Sequence, residues 1–384
     1  MLKFEQISNM ITIETIDLNK KNDKKRFVDF DYEIYKDSPH WVAPLRMDIN
    51  ERLNPKKHPF YLNGKIQCFV ALRNGKIVGR IAAIDNNNYN EFHSSNVGFF
   101  GFFECINDQE IANVLFDKVT EWHQSQQNNI LQGPVNPSTN YESGLLIDGF
   151  DDDPKIMMSY NPPYYQKLME NYGLHVSMKM YAYKVEDHNV LANEKLLRVK
   201  DIALQRSKTS LRLVNKKKLN LEIEHIKKIY NKAWENNWGF VPMSDAELNL
   251  MANELKLILD TQFAPMIENE KGEVVAFALA LRDINVITKD FKGSLFPFNF
   301  LKLLFGQKKI KWIRVLLLGI LPEYRGKGLD AVMYYEMIKN GLKVGIDRAE
   351  ASWILESNPE MQKGMKVVNG EIYKTYAIFE KQIL

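Results

Sequence analysis

The chain carries the same order of predicted secondary-structure elements twice, and this repeat limits its fold more than any other feature. In each half the hydrophobic pattern predicts a strand, helices, three antiparallel strands, a helix, a strand, a helix and a last strand. Asn74-Gly75 and Lys271-Gly272 predict a hairpin turn at corresponding places in the two halves. We therefore expect a mixed α+β fold of two tandem domains, each with a mostly antiparallel central sheet flanked by helices.

The length of the chain agrees with two domains, because 384 residues allow one core of ordinary size in each half. We place the domain boundary at residues 186–191, followed by a connecting helix over residues 194–208. The predicted domains are therefore residues 1–187 and residues 188–384. The C-terminal domain carries an insertion, residues 286–310, between its hairpin and its next strand.

Charge and cysteine content limit the environment and the partners of the protein. The 51 basic and 48 acidic residues give a net charge of only +3, which disfavours nucleic acid as the main partner. Two cysteines, Cys68 and Cys105, agree with a reducing compartment. No stretch approaches the roughly 20 apolar residues that span a bilayer, and the first residues carry no apolar signal core. We expect a cytoplasmic protein that at most touches the inner face of the membrane.

A glycine-containing loop in the C-terminal half is the strongest functional signal. A strongly apolar predicted strand runs into Tyr324-Arg325-Gly326-Lys327-Gly328-Leu329 and then into an amphipathic helix. Glycines directly before a helix let backbone N–H groups approach an anion, and the helix dipole adds positive potential. Arg325 and Lys327 add full charges, so the loop suits a pyrophosphate. The alternative is a turn that only caps the helix, which the strand–loop–helix context disfavours.

This loop resembles the acyl-CoA loop of the GNAT acyltransferases, Gln/Arg-x-x-Gly-x-Gly/Ala, and residues 211–381 are similar to a whole GNAT domain. The resemblance implies acetyl-CoA or a longer acyl-CoA as donor substrate. It also implies a splayed strand whose backbone pairs with pantetheine, loop N–H groups that hold the pyrophosphate, and an asparagine beside the pantetheine arm. The strand residues in this role are Leu318, Gly319 and Ile320, and the asparagine is Asn358. The loop residues whose N–H groups would hold the pyrophosphate are Arg325, Gly326, Lys327, Gly328 and Leu329.

Two positions depart from the GNAT pattern. Asp330 stands where the motif has glycine or alanine, which brings a carboxylate towards the phosphate site. Met365 stands where many members carry the tyrosine that protonates the leaving thiolate. Tyr373 and Tyr376 are the candidates to replace that tyrosine, unless the thiolate leaves unassisted.

The first half resembles the same fold without the donor loop. The last of its three predicted antiparallel strands runs into residues 102–109, an acidic stretch that lacks glycine. We interpret this half as a degenerate GNAT-like repeat that shapes the acceptor site. Such an arrangement is similar to that of other tandem GNAT proteins, for example the Fem aminoacyltransferases.

Longer motifs are spread over nearly the whole chain. They include Trp41-Val42-Ala43-Pro44-Leu45, Gly98-Phe99-Phe100-Gly101-Phe102-Phe103-Glu104, Gly133-Pro134-Val135-Asn136 and Ser352-Trp353-Ile354-Leu355-Glu356. These motifs resemble those of the bacterial ceramide synthase-like proteins, which include the YghO group. The resemblance implies acylation of a primary amine, with a long-chain amine of sphingoid type as the expected acceptor.

Residues 291–314 combine six aromatic residues with six basic residues and no acidic residue. Aromatic and leucine side chains interleaved with bases suit an element that lies on anionic lipid. This pattern predicts peripheral membrane contact through residues 291–314. A packing loop or a subunit contact explains the same pattern equally well.

Transfer to an amine needs a group that takes the ammonium proton, because a lysine-like amine has a pKa of about 10. Glu356 follows a strand predicted to face the donor strand, so it is the first candidate base. Its alternative role is a structural partner of Arg325 or a lysine. Glu104 and Glu142 are weaker candidates.

A polar loop in the first half is the candidate acceptor site. We expect Asn136, Asn140 and Tyr141, together with Glu104, to bind the acceptor. The alternative is that the asparagines only cap turns, which they do well. The histidines lack the spacing of metal ligands, so we expect no metal site.

Three functions are compatible with the residues. The first is an acyl-CoA-dependent N-acyltransferase that acts on a small or lipidic amine. The second is a catalytically degenerate GNAT-fold binding protein, which Asp330 and the missing tyrosine would explain. The third is a Fem-like aminoacyl transferase, which the near-neutral charge disfavours because such an enzyme uses aminoacyl-tRNA.

Overall fold

A computed structural model describes residues 10–186 and 194–384. The strands are β1 (Ile11–Ile16), β2 (Gly64–Arg73), β3 (Lys76–Asn86), β4 (Val97–Cys105), β5 (Ile130–Gly133), β6 (Val135–Asn136), β7 (Glu142–Ser143), β8 (Leu145–Asp148), β9 (His175–Val185), β10 (Thr209–Leu213), β11 (Pro265–Asn269), β12 (Val274–Arg282), β13 (Trp312–Ile320), β14 (Arg348–Leu355) and β15 (Glu371–Gln382).

Helices alternate with these strands, so the mixed α+β fold predicted from the sequence is confirmed. The α-helices are α1 (Lys21–Ile34), α2 (Arg46–Arg52), α3 (Asn87–His93), α4 (Gln109–Ser125), α5 (Tyr164–Asn171), α6 (Glu194–Ser207), α7 (Leu219–Trp234), α8 (Asp245–Ile258), α9 (Asn285–Thr288), α10 (Asn299–Phe305), α11 (Leu329–Lys343) and α12 (Pro359–Val367). No helix in the described ranges is long and apolar enough to cross a membrane.

The chain divides into two compact units, and each unit takes segments from separate parts of the sequence. Unit 1 comprises residues 1–179, 288–300 and 376–384, and unit 2 comprises residues 180–287 and 301–375. The predicted boundary at 186–191 lies outside the described residues from position 187 onward. The contiguous ranges 1–187 and 188–384 therefore stay a prediction.

Unit 1 has a sheet in the strand order β1-β2-β3-β4-β5-β15, to which β15 contributes its C-terminal part. Neighbouring strands are antiparallel except β4 and β5, which are parallel. Apolar residues of the sheet and of α4 and α5 form the core. Phe100, Phe103, Phe116 and Tyr165 are buried there, and Phe116 packs on both Phe100 and Phe103.

Unit 2 repeats this arrangement with the strand order β9-β14-β13-β12-β11-β10. Here β13 and β14 form the parallel pair, and the other neighbours are antiparallel. Tyr230 and Trp234 of α7 stack with their ring centroids 4.9 Å apart and pack with Phe240 in a separate apolar cluster. Each unit therefore contains one parallel pair within an otherwise antiparallel sheet.

The first part of the predicted insertion belongs to unit 1. Arg46 donates its backbone N–H to the Gly293 carbonyl at 3.0 Å and its guanidinium to the Lys292 carbonyl at 2.8 Å. Lys289 forms an ion pair with Asp153 at 2.6 Å. Residues 288–300 are thus held on unit 1 by hydrogen bonds and by charge.

Candidate functional site

The parallel pair of unit 2 separates in the middle of the sheet. Strands β13 and β14 pair from Trp312/Arg348 to Val315/Ala351. Beyond this point β14 continues to pair with β9, while β13 continues along β12. One additional β13 residue, Leu316, interrupts the register with β12, as in a β-bulge. The sheet therefore opens into a gap immediately before the candidate donor loop.

The three predicted pantetheine-pairing residues border this gap. Leu318, Gly319 and Ile320 pair with β12 on one side, and no strand of the described chain pairs with their other side. At Gly319 a Cβ atom would lie 2.6 Å from the Trp234 ring, so this position accepts no larger residue without movement. The close packing of α7 on β13 explains the glycine at position 319. The N–H and C=O groups on the open edge of β13 remain available for a ligand.

The glycines of the candidate donor loop have an unusual backbone conformation. Gly326 and Gly328 have φ values of +70° and +80°, in the left-handed region that favours glycine. A Cβ atom on Gly326 would meet nothing within 4 Å. Gly328 is the N-cap of α11 and offers no side chain to the helix N–H groups. The first turn of α11, beginning with Leu329, therefore retains donors for an anion.

The two basic side chains of the loop differ in their contacts. The Arg325 guanidinium donates to the Ala233 carbonyl at 2.8 Å and to the Ile320 carbonyl at 3.3 Å, although the residue is exposed. The Lys327 ammonium lies 4.6 Å from the centre of the Tyr324 ring. Arg325 thus braces the loop, whereas Lys327 remains exposed on its surface.

Asp330 and Asn358 both lie next to α12. Asp330 Oδ2 is 3.5 Å from the position that a Cβ on Gly364 would occupy, and the Asp330 charge contributes to a raised pKa of Tyr334, after the larger effect of burial. Asn358 is the N-cap of α12 and accepts the Met361 N–H at 3.2 Å. The Asp330 carboxylate therefore lies between the start of α11 and Gly364 of α12. The side-chain oxygen of Asn358 caps the N-terminus of α12.

The candidate catalytic residues have different surroundings. Glu356 lies in the turn after β14 and is exposed, and its charge adds to the effect of burial in raising the pKa of Tyr181. Tyr373 is half-buried in unit 2, and its hydroxyl donates to Glu350. Tyr376 is fully buried and belongs to unit 1. Glu356 and Tyr373 thus belong to unit 2, whereas Tyr376 belongs to unit 1.

A buried polar cluster at the point of strand separation was not predicted from the sequence. Arg314 and Glu350 are almost completely buried and face each other at 3.6 Å. Ser352 joins them, accepting from Arg314 Nε at 2.8 Å and donating to Glu350 at 2.6 Å. Tyr373 completes the cluster, which fixes the ends of both diverging strands.

In unit 1 the corresponding gap is filled by the chain itself. Strands β4 and β5 pair only from Val97/Ile130 to Phe99/Gln132, although β4 continues to Cys105. The Phe102 N–H donates to the Asn136 side-chain oxygen at 2.7 Å. At Gly101 a Cβ atom would lie 1.8 Å from the Val135 carbonyl oxygen. The short strand β6 thus takes the place that is open in unit 2.

A polar cavity of about 140 Å³ lies beside this filled gap in unit 1. Glu104 lines it, and its Oε2 accepts hydrogen bonds from Tyr35 and Tyr165, both at 2.7 Å. Asp31 and Arg80 line it as a buried ion pair. Burial raises the pKa of Glu104 to about 8, and the Asp31 carboxylate contributes in the same direction.

The predicted acceptor residues are partly gathered at this cavity. Asn136 and Glu142 line it with Glu104, and Glu142 forms an ion pair with Arg52. Asn140 and Tyr141 belong to the turn between β6 and β7, and they are not among the described residues that line the cavity. No group of three His, Cys, Asp or Glu residues suited to a metal ion occurs in the described part of the chain.

Two curated relatives match nearly the whole chain. Protein YghO from Escherichia coli is 33% identical over 386 residues, covering 98% of this chain and 98% of its own length. Bacterial ceramide synthase from Caulobacter vibrioides is 32% identical over 366 residues, covering 94% of each chain. No family model matches the sequence.

Solved structures show the same fold at much lower sequence identity. A tandem GNAT protein from the clavulanic acid biosynthesis pathway superimposes with a TM-score of 0.58 and 10% identity, covering 98% of this chain and 99% of its own. A GCN5-related N-acetyltransferase from Sphaerobacter thermophilus gives a TM-score of 0.54, with coverage of 97% and 96%. The predicted tandem GNAT-like fold is confirmed.

Proposed function

The chain belongs to the tandem GNAT-fold family that includes YghO and bacterial ceramide synthase, and on this basis we propose that it is an acyl-CoA-dependent N-acyltransferase. Its acceptor is a primary amine, and the name of one relative, bacterial ceramide synthase, favours a long-chain amine of sphingoid type. The donor is acetyl-CoA or a longer acyl-CoA.

One observation carries the proposal: β13 and β14 separate after Val315/Ala351, directly before a loop with two left-handed glycines. The open edge of β13 fits an extended, amide-containing chain, because such a chain can pair with backbone groups. The glycine loop and the start of α11 fit the pyrophosphate at the end of that chain. The residues present in unit 2 therefore fit a coenzyme A thioester.

Each proposed donor-site residue has a separate task. The backbones of Leu318, Gly319 and Ile320 hold the pantetheine arm, with Asn358 beside it. The N–H groups of residues 325–329 hold the pyrophosphate, and Lys327 adds positive charge. The thioester supplies the activated acyl group, and β13 N–H groups at the gap stabilise the oxyanion that forms when the amine attacks.

Proton transfer needs a base for the amine and an acid for the leaving thiolate. We keep Glu356 as the base, because its exposed position at the end of β14 leaves it accessible to an ammonium group. Tyr373 and Tyr376 remain the candidate acids. Tyr373 is favoured because it lies in unit 2, at the cluster where the strands separate, whereas Tyr376 is fully buried in unit 1.

The acceptor and the membrane require surfaces of their own. We propose that Asn136, Asn140, Tyr141 and Glu104 bind the polar part of the acceptor. For a lipidic amine, residues 296–305 provide peripheral contact with the inner face of the cytoplasmic membrane. Within the predicted segment 291–314, Phe291 and Arg314 are buried, so only this narrower part offers its apolar side chains to lipid.

Thermal unfolding with added coenzyme A, acetyl-CoA and palmitoyl-CoA tests the donor site. We expect all three to stabilise the protein, and we expect Lys327→Glu or Arg325→Glu to lower the coenzyme A affinity by about tenfold or more. Lys327→Glu is the cleaner change, because Arg325 also braces the loop. Lys343→Glu, the same charge change at the other end of α11, is the matched control.

Product analysis by mass spectrometry then tests catalysis, with palmitoyl-CoA and sphinganine as substrates. An N-acylated amine that disappears in the Lys327→Glu variant supports the proposal. If no thioester changes the melting temperature, the assignment of the donor site is wrong. Thioester binding without turnover of any amine would instead identify a degenerate binding protein, and transfer from aminoacyl-tRNA would identify a Fem-like enzyme.

A further inference from the structure

The polar cavity of unit 1 has a chemistry that acyl transfer at the donor site does not explain. Glu104, Asp31 and Arg80 line its wall, with Trp41 and Tyr160 as aromatic neighbours. We propose that this cavity is an ammonium-binding site, in which Glu104 is the counter-ion of a protonated primary amine. The inference rests on the proposed function only in that the bound amine is taken to be the acyl acceptor.

The hydrogen bonds of Glu104 leave one carboxyl oxygen for a ligand. Tyr35 and Tyr165 both donate to Oε2, and the Tyr165 hydroxyl also accepts the Cys105 N–H at 2.9 Å. The Cys105 contact orients the Tyr165 O–H bond towards the carboxyl group. Among the described residues Oε1 has no hydrogen-bond partner. An ammonium group carries three donors and can use this oxygen.

The charges of the wall favour a cation over an anion. Of the three carboxylates that line the cavity, Asp31 is paired with Arg80 and Glu142 is paired with Arg52. Glu104 is the third, and it has no ion pair within the described part of the chain. A ligand ammonium would supply the positive charge that allows Glu104 to ionise.

Further groups around the cavity suit a small amino alcohol. The Trp41 ring stacks on Tyr35 with centroids 4.9 Å apart, and aromatic faces attract cations. Arg80 is 2% exposed, and its Nε makes no hydrogen bond to any described residue. An unpartnered buried donor is costly unless a ligand or water accepts from it. A hydroxyl group next to the amine meets this requirement.

Protonation of Glu104 links ligand binding to pH. Burial raises the pKa of Glu104 to about 8, so the empty cavity contains a neutral carboxyl group at neutral pH. When an ammonium ion binds, the carboxyl group releases one proton to solvent and becomes the counter-ion. The ionisable groups that face Glu104 are Asp31 of α1, Tyr35 directly after α1, Arg80 of β3, Cys105 of β4, and Tyr164 and Tyr165 of α5.

The sign of the pH dependence follows directly. Below a pH of about 8, the affinity for an ammonium ligand should fall by about tenfold for each pH unit, because a proton competes for Glu104. Above this value the affinity should level off. It should fall again only where the amine itself loses its proton, at a pH of about 10.

Calorimetric titration of the full chain with hexylamine, norleucinol and hexanol, without any thioester, tests the site. We expect both amines to bind about tenfold more tightly than hexanol, and norleucinol more tightly than hexylamine. Titrations in buffers of different ionisation enthalpy should show release of close to one proton at neutral pH. Glu104→Gln should abolish the proton release and weaken amine binding by about tenfold or more.

Two further variants keep the test decisive. Glu170→Gln, an exposed change on α5, should leave amine binding unchanged. Tyr35→Phe removes one donor to the carboxylate, so it should move the midpoint of the pH dependence upwards. Amine binding that is equal in Glu104→Gln and the native protein, or that releases no proton, would overturn the inference. Absence of coenzyme A binding with amine binding intact would contradict only the proposed function.

Discussion

At the scale of single residues, burial decides the charge state of Glu104. Two tyrosine hydroxyls donate to it and favour its ionised form, but the cost of removing the charge from water is larger. The pKa of Asp31 is raised to about 6 for the same reason, although Arg80 partly offsets the effect. Unit 1 therefore carries two acids that resist ionisation on one side of its sheet.

This has a consequence for stability that is independent of any ligand. The pKa of Glu104 is raised from 4.5 to about 8, so the folded protein binds more protons than the unfolded chain between these values. The free energy of unfolding should therefore decrease as the pH rises through this window. In Glu104→Gln the decrease should be smaller, leaving the variant more stable at pH 8 by about 1 to 3 kcal/mol.

Urea unfolding of both proteins at several pH values measures this difference. Asp31 contributes a similar slope at lower pH in both proteins, so subtraction of the two curves isolates Glu104. Parallel curves would mean that Glu104 ionises normally in the folded protein.

The candidate site residues differ in how far a local sequence pattern can indicate them. Arg325, Gly326 and Lys327 are neighbours in the chain, so a short motif was enough to select them as candidates. By contrast, Arg314 and Glu350 meet only because two strands pair, 36 positions apart in sequence. A contact of this kind leaves no local pattern, so it was not predictable from one sequence.

At the scale of elements, the donor loop and α11 act together. Asp330 lies in the first turn of α11, where a negative charge interacts favourably with the helix dipole but would repel the proposed pyrophosphate. The same side chain contacts the α12 side at Gly364. Its charge therefore has opposite effects on folding and on ligand binding.

We expect Asp330→Ala to increase the affinity for coenzyme A by about threefold to tenfold, because a repulsive charge is removed near the phosphates. The same change should lower the free energy of unfolding by about 0.3 to 1 kcal/mol. Calorimetry and chemical denaturation measure the two effects. Asp330→Asn keeps the size of the side chain and should show the same direction; a loss of affinity in both variants would mean that Asp330 supports binding.

The long helices and strands were predicted well, because each carries its own hydrophobic period. The sequence predicts a strand over residues 97–103 and helices over residues 109–126 and 329–342. Strand β4, helix α4 and helix α11 lie within two residues of these bounds. Strands β6 and β7 were missed because each has two residues, and only their mutual pairing defines them. The predicted insertion contains the short helix α10, whose aromatic-rich sequence indicated a surface element but not its conformation.

At the scale of the whole molecule, segment exchange between the units was not predictable. The last residues, 376–384, belong to unit 1, although the order of elements suggests that they complete the second repeat. Order along the chain does not specify which strands pair. The repeat of elements was therefore visible in the sequence, whereas the segments that make up each unit were not.

The proposed membrane contact also belongs to the scale of the whole molecule. Phe298 and Phe305 are 72% and 81% exposed, and Lys302, Lys308 and Lys309 are exposed nearby in the chain. We expect the protein to sediment with vesicles of phosphatidylglycerol more strongly than with neutral vesicles, because lysines favour anionic lipid. Replacing both phenylalanines by serine should weaken vesicle binding by about tenfold or more.

Leu62→Ser is the matched control for that experiment, since Leu62 is 70% exposed outside the segment. High salt should reduce the preference for anionic vesicles but not the residual apolar contact. Equal sedimentation of the double variant and the native protein would exclude residues 296–305 as the membrane contact.

The filled gap of unit 1 also has a consequence for degradation of the protein in the cell. Asn136 satisfies the Phe102 N–H internally, so at this strand edge unit 1 needs no metabolite to complete the hydrogen bond. The open edge of β13 in unit 2 would gain hydrogen-bond partners from the proposed acyl-CoA, and ligand binding protects a fold from proteases by mass action. Under the proposed function, starvation for thioester would expose unit 2 to degradation first, and the abundance of the protein would follow the supply of acyl-CoA.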